Sequence, residues 1–202
     1  VSFKKFILIF LLFIAVNVSS AGLWSYFARS FAVPQNRVEA TKKQLEYIIS
    51  DFSVYPGVIA QTIKIEGDVL FQSYIGKLGW WNVPLPRWHV IPWMALLVLL
   101  ALIETNKYVG ITNKHKLIIL GIFGITTLLI FTSTYFFWSR PMAGDINGLQ
   151  GRYFIPIGPL FFLLFYNRKL SPRIKHLPRI LACCSAISLT IALYEILKRF
   201  YG

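Results

Sequence analysis

Long apolar runs constrain the fold of this chain more than any other feature of its sequence. Crossing a bilayer core takes roughly 20 predominantly apolar residues in an α-helix. Charged residues are scarce, at 14% of the chain, against roughly 25% in soluble domains. We therefore predict an all-α, polytopic helical membrane protein, folded as a single membrane domain over residues 1–202. About five transmembrane helices are expected. They lie at about residues 6–28, 89–105, 117–138, 153–166 and 180–197.

Basic residues predict the orientation of these helices. Lys and Arg are enriched on the cytoplasmic side of membrane helices, and here they cluster before the first apolar run and in the loops 106–116 and 167–179. We therefore expect a multi-pass protein of the cell inner (cytoplasmic) membrane, with a cytoplasmic amino terminus. Segments 29–88 and 139–152 then lie on the outer face. The net charge of +13 arises largely from such flanking clusters, so nucleic acid is not expected as a partner.

Two of the apolar runs admit a second interpretation. The fourth run is short and has Pro156, Gly158 and Pro159 near its start, so a re-entrant hairpin is an alternative to a span. A hairpin would place the basic loop that follows it outside, and we therefore expect a true span. The first run resembles a signal peptide with a small-residue cleavage site at residues 19–21. Because it stays apolar through Phe27, we expect an uncleaved transmembrane helix.

The outer segment 29–88 is expected to contain amphipathic helices. The first begins near Asn36, where Glu39 completes a typical helix-start pattern. Pro56 and Gly57 are expected to break it, and a second amphipathic stretch follows. These helices are expected to lie along the outer surface or to pack on the bundle. The apolar face of the first helix is formed by Leu45, Ile48, Ile49 and Phe52.

The sequence GLQGRYFIP at residues 148–156 places Arg152 at the start of the fourth apolar run. A guanidinium there is unfavourable unless it meets an anion, a carbonyl dipole or water. A phosphate at headgroup depth would accept two parallel hydrogen bonds from it. The alternatives are that Arg152 extends to the membrane interface, caps backbone carbonyls of a neighbouring helix or pairs with Asp145. Further donors, and a glycine that lets the main chain approach a ligand, are supplied by Gln150, Tyr153 and Gly151.

A second motif, LGWWNVPLP at residues 78–86, precedes the second apolar run. Tryptophans at a membrane border usually anchor at the headgroup level, and anchoring is the alternative role here. Trp80 and Trp81 also offer flat apolar faces that suit a sugar ring or an isoprenoid chain, and Asn82 would add polar selectivity. Both motifs open on the outer side in the expected topology. We therefore predict that Trp80, Trp81 and Asn82 form one substrate-binding site together with Arg152 and its neighbours in the other motif.

Together the two motifs resemble the carboxy-terminal half of the bacterial predicted membrane proteins called domain of unknown function 2142. The resemblance runs from about the first apolar run to the end of the chain, and the arginine motif is the more specific of the two. The usual form of the first motif has a Leu-Asp pair where this chain has Trp81 and Asn82. An acid or base at this position is therefore absent.

The resemblance implies a relative of the polytopic GT-C-type glycosyltransferases, with an outer-face site for a polyprenyl-phosphate sugar used in cell-envelope polysaccharide or glycolipid metabolism. Such enzymes carry their catalytic carboxylate in the first outer loop of a longer chain. This chain is therefore expected to be a truncated or naturally short member without the catalytic half, and its enzymatic activity is left open. The alternative is a non-enzymatic accessory or lipid-binding subunit that completes a helical bundle with a partner membrane chain. No cofactor or metal is expected, since the histidines lie in three separate segments, at His89, His115 and His176.

Overall fold

The computed structural model describes residues 3–29, 37–79, 82–103, 110–167 and 176–202. Its internal contacts divide the chain into two compact units, Val1–Glu39 and Ala40–Gly202. Helix α1 (Phe3–Ala28) lies in the first unit, and its bounds agree with the first predicted run. The all-α fold class is confirmed by the described residues, while the single membrane domain stays a prediction.

The remaining helices and one short hairpin follow in the order of the chain. In the hairpin, β1 (Lys77–Leu78) pairs antiparallel with β2 (Val83–Pro84), so that Lys77 lies opposite Pro84 and Leu78 opposite Val83. A 3-10 helix, Gly151–Phe154, precedes α6. The α-helices are α2 (Arg37–Ser50), α3 (Val54–Ile75), α4 (Arg87–Ile103), α5 (Asn113–Trp138), α6 (Gly158–Leu163) and α7 (Leu177–Tyr201).

Within the described ranges, three helices are long and apolar enough to cross a membrane. They comprise Ile7–Ala28, Asn113–Trp138 and Leu177–Tyr201. Helix α4, Arg87–Ile103, is apolar but shorter, and the last two residues of the span predicted there lie outside the described residues. These four helices coincide with four of the predicted runs. The number of five membrane crossings stays a prediction.

The fourth predicted run, residues 153–166, is not one continuous helix. It passes from the 3-10 helix through a turn at residues 155–157 into α6 and then into further turns. The 6 residues of α6 rise only about 9 Å, against a bilayer core of roughly 30 Å. Pro156 has no amide hydrogen, and Pro159 is tolerated because it lies in the first turn of α6. The expectation of a regular helix here is therefore corrected.

This interrupted segment nevertheless runs beside α5. The Phe154 ring lies 6.0 Å from that of Phe131, and the Phe161 ring lies 5.4 Å from that of Phe123. The partners on α5 are thus met in reverse order, so the segment descends antiparallel to α5. This direction is common to a span and to the first arm of a re-entrant hairpin, so the predicted span stays a prediction.

The break between α2 and α3 lies at residues 51–53, and not at Pro56 and Gly57 as the sequence led us to expect. The Asp51 carboxylate accepts hydrogen bonds from the Ser53 amide at 2.8 Å and from the Ser53 hydroxyl at 2.7 Å. Helix α3 then begins at Val54, so Pro56 lies in its first turn. A proline is tolerated there because amides in the first turn have no helical acceptor.

The core of the second unit lies between α3, the end of α5 and segment 139–150, which follows α5. The Tyr135 hydroxyl donates to the Ala143 carbonyl at 2.8 Å, and the Tyr55 hydroxyl shares a hydrogen bond of 2.7 Å with that of Thr132. Val58 of α3 packs in one cluster with Ile146 and Leu149 of segment 139–150, so these two parts of the second unit are in direct contact. The buried residues of this cluster are Val58, Phe131, Tyr135, Ile146 and Leu149.

Candidate functional site

The 3-10 helix that carries the arginine motif is seated directly on α3. The Gly151 amide donates to the Ser73 hydroxyl at 2.8 Å, and Gly151 itself is buried. A Cβ atom at Gly151 would lie 1.9 Å from the Leu70 carbonyl oxygen and 2.5 Å from the Tyr74 amide nitrogen. Because both neighbours are backbone atoms, glycine is required here for the close approach of two chain segments.

The three faces of this 3-10 helix meet three different surroundings. Successive residues of a 3-10 helix are turned by about 120°, so residues i and i+3 share a face. Gly151 and Phe154 share one face and line a cavity. Arg152 points to the hairpin, and Tyr153 lines a second cavity. The motif therefore joins three parts of the second unit.

Arg152 caps a backbone carbonyl in the hairpin turn. Its Nη1 atom donates to the Gly79 carbonyl oxygen at 3.0 Å. Gly79 has φ +61, and the Asn82 side-chain oxygen lies 2.7 Å from where a Cβ of Gly79 would stand. Arg152, Gly79 and Asn82 are thus neighbours. Within the described ranges Arg152 forms no ion pair with Asp145, and the carbonyl that it caps lies in the hairpin turn and not, as predicted, in a neighbouring helix.

The tryptophan pair predicted to bind substrate, Trp80 and Trp81, lies outside the described residues. The residues on either side of the pair, Gly79 and Asn82, are described. Gly79 follows β1 and accepts the Arg152 hydrogen bond, and Asn82 precedes β2. The turn is therefore tied to the arginine motif at its first end.

An apolar cavity of 210 Å³ lies beside the 3-10 helix. The Tyr74 side chain borders it, and a Cβ at Gly158 would lie 2.0 Å from the Tyr74 hydroxyl. Burial raises the pKa of the Tyr74 phenol above its ordinary value of 10.0, and a phenol is neutral at physiological pH in either case. Such a cavity suits a hydrocarbon segment, because buried polar groups without partners are unfavourable. It is lined by Leu70, Phe71, Tyr74, Met94, Phe123, Gly151, Phe154, Gly158, Phe161 and Phe162.

A second cavity, of 270 Å³, lies at the end of α5 and is more polar. The hydroxyls of Ser133 and Thr134 donate to the Ile130 carbonyl at 3.0 and 2.8 Å, which leaves their oxygen lone pairs as acceptors. Tyr153 is 37% exposed at its border. Tyr153 thus lines this cavity, whereas Arg152 contacts the hairpin. Besides these residues, the cavity is lined by Phe137 and Trp138.

Gln150 immediately precedes the 3-10 helix and buries its side-chain oxygen. That oxygen has no hydrogen-bond partner within the part of the chain that the structure describes. A buried acceptor without a donor is destabilising. Of the predicted binding residues, the structure thus places Arg152 and Asn82 together at Gly79, seats Gly151 on α3 and directs Tyr153 elsewhere.

Sequence reasoning missed three buried polar side chains that hold segment 139–151. The amides of Met142, Ile146 and Gly151 each donate at 2.8 Å, and their acceptors are the side chains of Gln44, Thr62 and Ser73, respectively. A partial signal exists, because Thr62 and Ser73 share one helical face of α3 with Val58 and Val69. The pattern indicates a helical face that combines apolar and hydroxyl side chains. It does not indicate which backbone amides, distant in sequence, those hydroxyls accept.

Arg87, at the start of α4, provides a contrast to Arg152. Its guanidinium forms an ion pair with Asp68 of α3, and the two side chains are 65% and 61% exposed. Ion pairs exposed to this degree contribute little stability. Arg87 is therefore a suitable reference when the role of Arg152 is tested.

Comparison with known proteins gives one match. The family model described as Predicted membrane protein (DUF2142) matches residues 2–161, a range that includes both motifs. No curated protein and no solved structure matches the chain.

Proposed function

Because this chain belongs to the family of predicted membrane proteins DUF2142, we propose that it binds a polyprenyl-phosphate sugar at the outer face of the inner membrane. It is then a glycosyltransferase-like member that acts in cell-surface polysaccharide or glycolipid metabolism. The observation that carries this proposal is the hydrogen bond from Arg152 to the Gly79 carbonyl. It brings the arginine motif and the hairpin turn to one place.

The Arg152 guanidinium supplies the charge that such a lipid requires. A guanidinium has several N–H donors in a planar fork, and one of those of Arg152 is used by the Gly79 carbonyl. The remaining donors suit the oxygens of a phosphate, which a guanidinium binds with two parallel hydrogen bonds. The carbonyl contact holds the side chain in place, so less conformational freedom is lost on binding.

Polar and apolar groups near Arg152 suit the sugar and the isoprenoid tail of this ligand. Asn82 adjoins the same turn, and the buried oxygen of Gln150 lacks a donor among the described residues. A sugar hydroxyl is a suitable partner for the Asn82 side chain, whereas the Gln150 oxygen is buried. The cavity of 210 Å³ on the neighbouring face of the 3-10 helix is lined by aromatic and aliphatic side chains. It suits part of an isoprenoid tail.

The test compares Arg152→Lys with Arg87→Lys in purified protein reconstituted into lipid nanodiscs. Lysine retains the charge but cannot form the planar fork. We expect Arg152→Lys to raise the Kd for a fluorescent polyprenyl phosphate by about tenfold, the effect of losing one charge-assisted hydrogen bond. Arg87→Lys is expected to leave the Kd within about twofold, because the Arg87 ion pair is exposed.

Melting temperatures of the two variants serve as the control for folding. A lysine at position 152 can still donate one hydrogen bond to the Gly79 carbonyl, so we expect similar melting temperatures. Equal, small changes in Kd for both variants would remove the anion site from consideration.

A non-enzymatic accessory or lipid-binding subunit is the second candidate function. Helix α7, which the structure describes throughout, has no buried residue although it comprises 25 residues. Its apolar side chains are therefore available to lipid or to helices of a partner membrane chain. The reading frames upstream of the coding sequence distinguish the candidates. Further spans and an outer loop with an acidic residue are expected there for a fragment of an enzyme.

A further inference from the structure

Two hydroxyl groups of α3 hold segment 146–151 at its two ends. The Ile146 amide donates to the Thr62 hydroxyl and the Gly151 amide donates to the Ser73 hydroxyl, each at 2.8 Å. Thr62 and Ser73 are only 0% and 1% exposed. Both bonds are therefore shielded from water, where an amide that loses its acceptor is left with no substitute.

Each of these hydroxyls also has a defined direction. Thr62 donates its hydrogen to the Val58 carbonyl at 2.7 Å, and Ser73 donates to the Leu70 carbonyl at 3.3 Å. Because the hydrogen is used within α3, the oxygen lone pairs are available to accept the two amides. Thr62 and Ser73 lie eleven positions apart on α3, which is about three helical turns, so they share one face.

The contact at Ser73 is coupled directly to Arg152. Gly151 is fixed between the Ser73 hydroxyl and the α3 backbone, where even a methyl group would not fit. Arg152 is the next residue and reaches the Gly79 carbonyl at 3.0 Å. A shift of the 3-10 helix away from α3 would therefore move the Arg152 guanidinium away from the hairpin turn.

We propose that Ser73 is a positioning residue for Arg152, because it fixes the 3-10 helix where the guanidinium can contact both the Gly79 carbonyl and a lipid phosphate. The inference rests on the anion site proposed above. Ser73 is too deeply buried to touch the ligand itself. It acts through the Gly151 amide.

The experiment compares Ser73→Ala with the matched variant Thr62→Val. Each substitution removes one buried hydroxyl and leaves one amide without an acceptor, but Ile146 is six residues from Arg152, whereas Gly151 is adjacent. We expect Ser73→Ala to raise the Kd for polyprenyl phosphate by about tenfold. Thr62→Val is expected to change it by less than about twofold, at a similar loss of melting temperature. Equal losses of affinity would overturn the positioning role.

Hydrogen exchange tests the positioning role without any ligand. In Ser73→Ala the amides of residues 151–154 are expected to exchange faster than in Thr62→Val, while residues 144–147 show the reverse order. If wild-type protein binds no polyprenyl phosphate, the proposed function fails. Hydrogen exchange alone then tests whether Ser73 fixes the 3-10 helix. Faster exchange at residues 151–154 then supports the role of Ser73, and unchanged exchange there overturns it.

Discussion

The Arg152 guanidinium donates a hydrogen bond to a backbone carbonyl. Three roles besides anion binding were open for this side chain: extension to the membrane interface, carbonyl capping and pairing with Asp145. Among the described residues, its hydrogen-bond acceptor is the Gly79 carbonyl. Gly79 lies in a turn 73 positions earlier in the chain. A carbonyl dipole stabilises the guanidinium without neutralising its charge. Arg152 therefore retains the capacity to bind an anion.

At the residue scale, the pH dependence of the turn between α2 and α3 is predictable from Asp51. Hydrogen bonds from the Ser53 hydroxyl and amide lower the pKa of Asp51 from its ordinary value of 3.8. A lowered carboxyl pKa contributes stability that is present above the unfolded-state value and is lost as the pH falls through the folded-state value. We expect the amides of residues 51–54 to exchange faster below about pH 4, after correction for intrinsic rates.

Asp51→Asn provides the control for this prediction. Asparagine retains a side-chain oxygen that can accept from Ser53 but does not titrate. Local exchange in this variant should not depend on acid beyond the intrinsic rates. The same acid response in wild type and variant would show that another group is responsible.

At the scale of elements, packing of the 3-10 helix and α6 against α3 depends on two glycines with different neighbours. A Cβ at Gly151 would meet the backbone of α3, at 1.9 Å from the Leu70 carbonyl oxygen. A Cβ at Gly158 would meet the far end of the Tyr74 side chain, at 2.0 Å from the hydroxyl. A side chain can move aside more easily than helix backbone. The two contacts therefore differ in their tolerance of an added methyl group.

We predict that Gly151→Ala lowers the melting temperature more than Gly158→Ala does. Overpacking of a core typically costs about 1–3 kcal/mol, and we expect Gly151→Ala at the upper end of that range. Tyr74→Phe removes the hydroxyl that meets the new methyl group of Gly158→Ala, so the double variant should recover part of the loss. The same second substitution should not rescue Gly151→Ala. Rescue of both variants would contradict the contacts described here.

At the scale of the whole molecule, the topology follows from which segments touch. Hydrogen bonds join Met142 to Gln44, Ile146 to Thr62 and Gly151 to Ser73. Segments 44–73 and 142–151 are therefore in direct contact, and we expect both on one side of the membrane. The distribution of Lys and Arg predicts that this side is the outer one.

Cysteine labelling tests this orientation in a background from which Cys183 and Cys184 have been removed. Asn147 is exposed, and we expect Asn147→Cys to react with a membrane-impermeant maleimide in intact spheroplasts. Lys114→Cys, at the start of α5, is the control and should react only after permeabilisation. The reverse pattern would invert the topology and place the proposed site on the cytoplasmic face.

The sequence by itself determined the membrane class, the positions of four apolar helices, the presence of helices in segment 29–88 and the family to which the chain belongs. These features depend on composition and on apolar periodicity along neighbouring residues, which local sequence records directly. The motifs at residues 78–86 and 148–156 were also found from sequence. That they meet at Gly79 is a tertiary result.

Only the tertiary structure decided which groups hold the arginine motif. The bond between the Gly151 amide and the Ser73 hydroxyl joins residues 78 positions apart, and every non-proline residue offers the same amide. Sequence therefore cannot select the partner. The interruption of residues 153–166 was likewise decided by packing, because Pro156 and Pro159 permit a broken helix while the aromatic contacts with α5 hold the pieces in place.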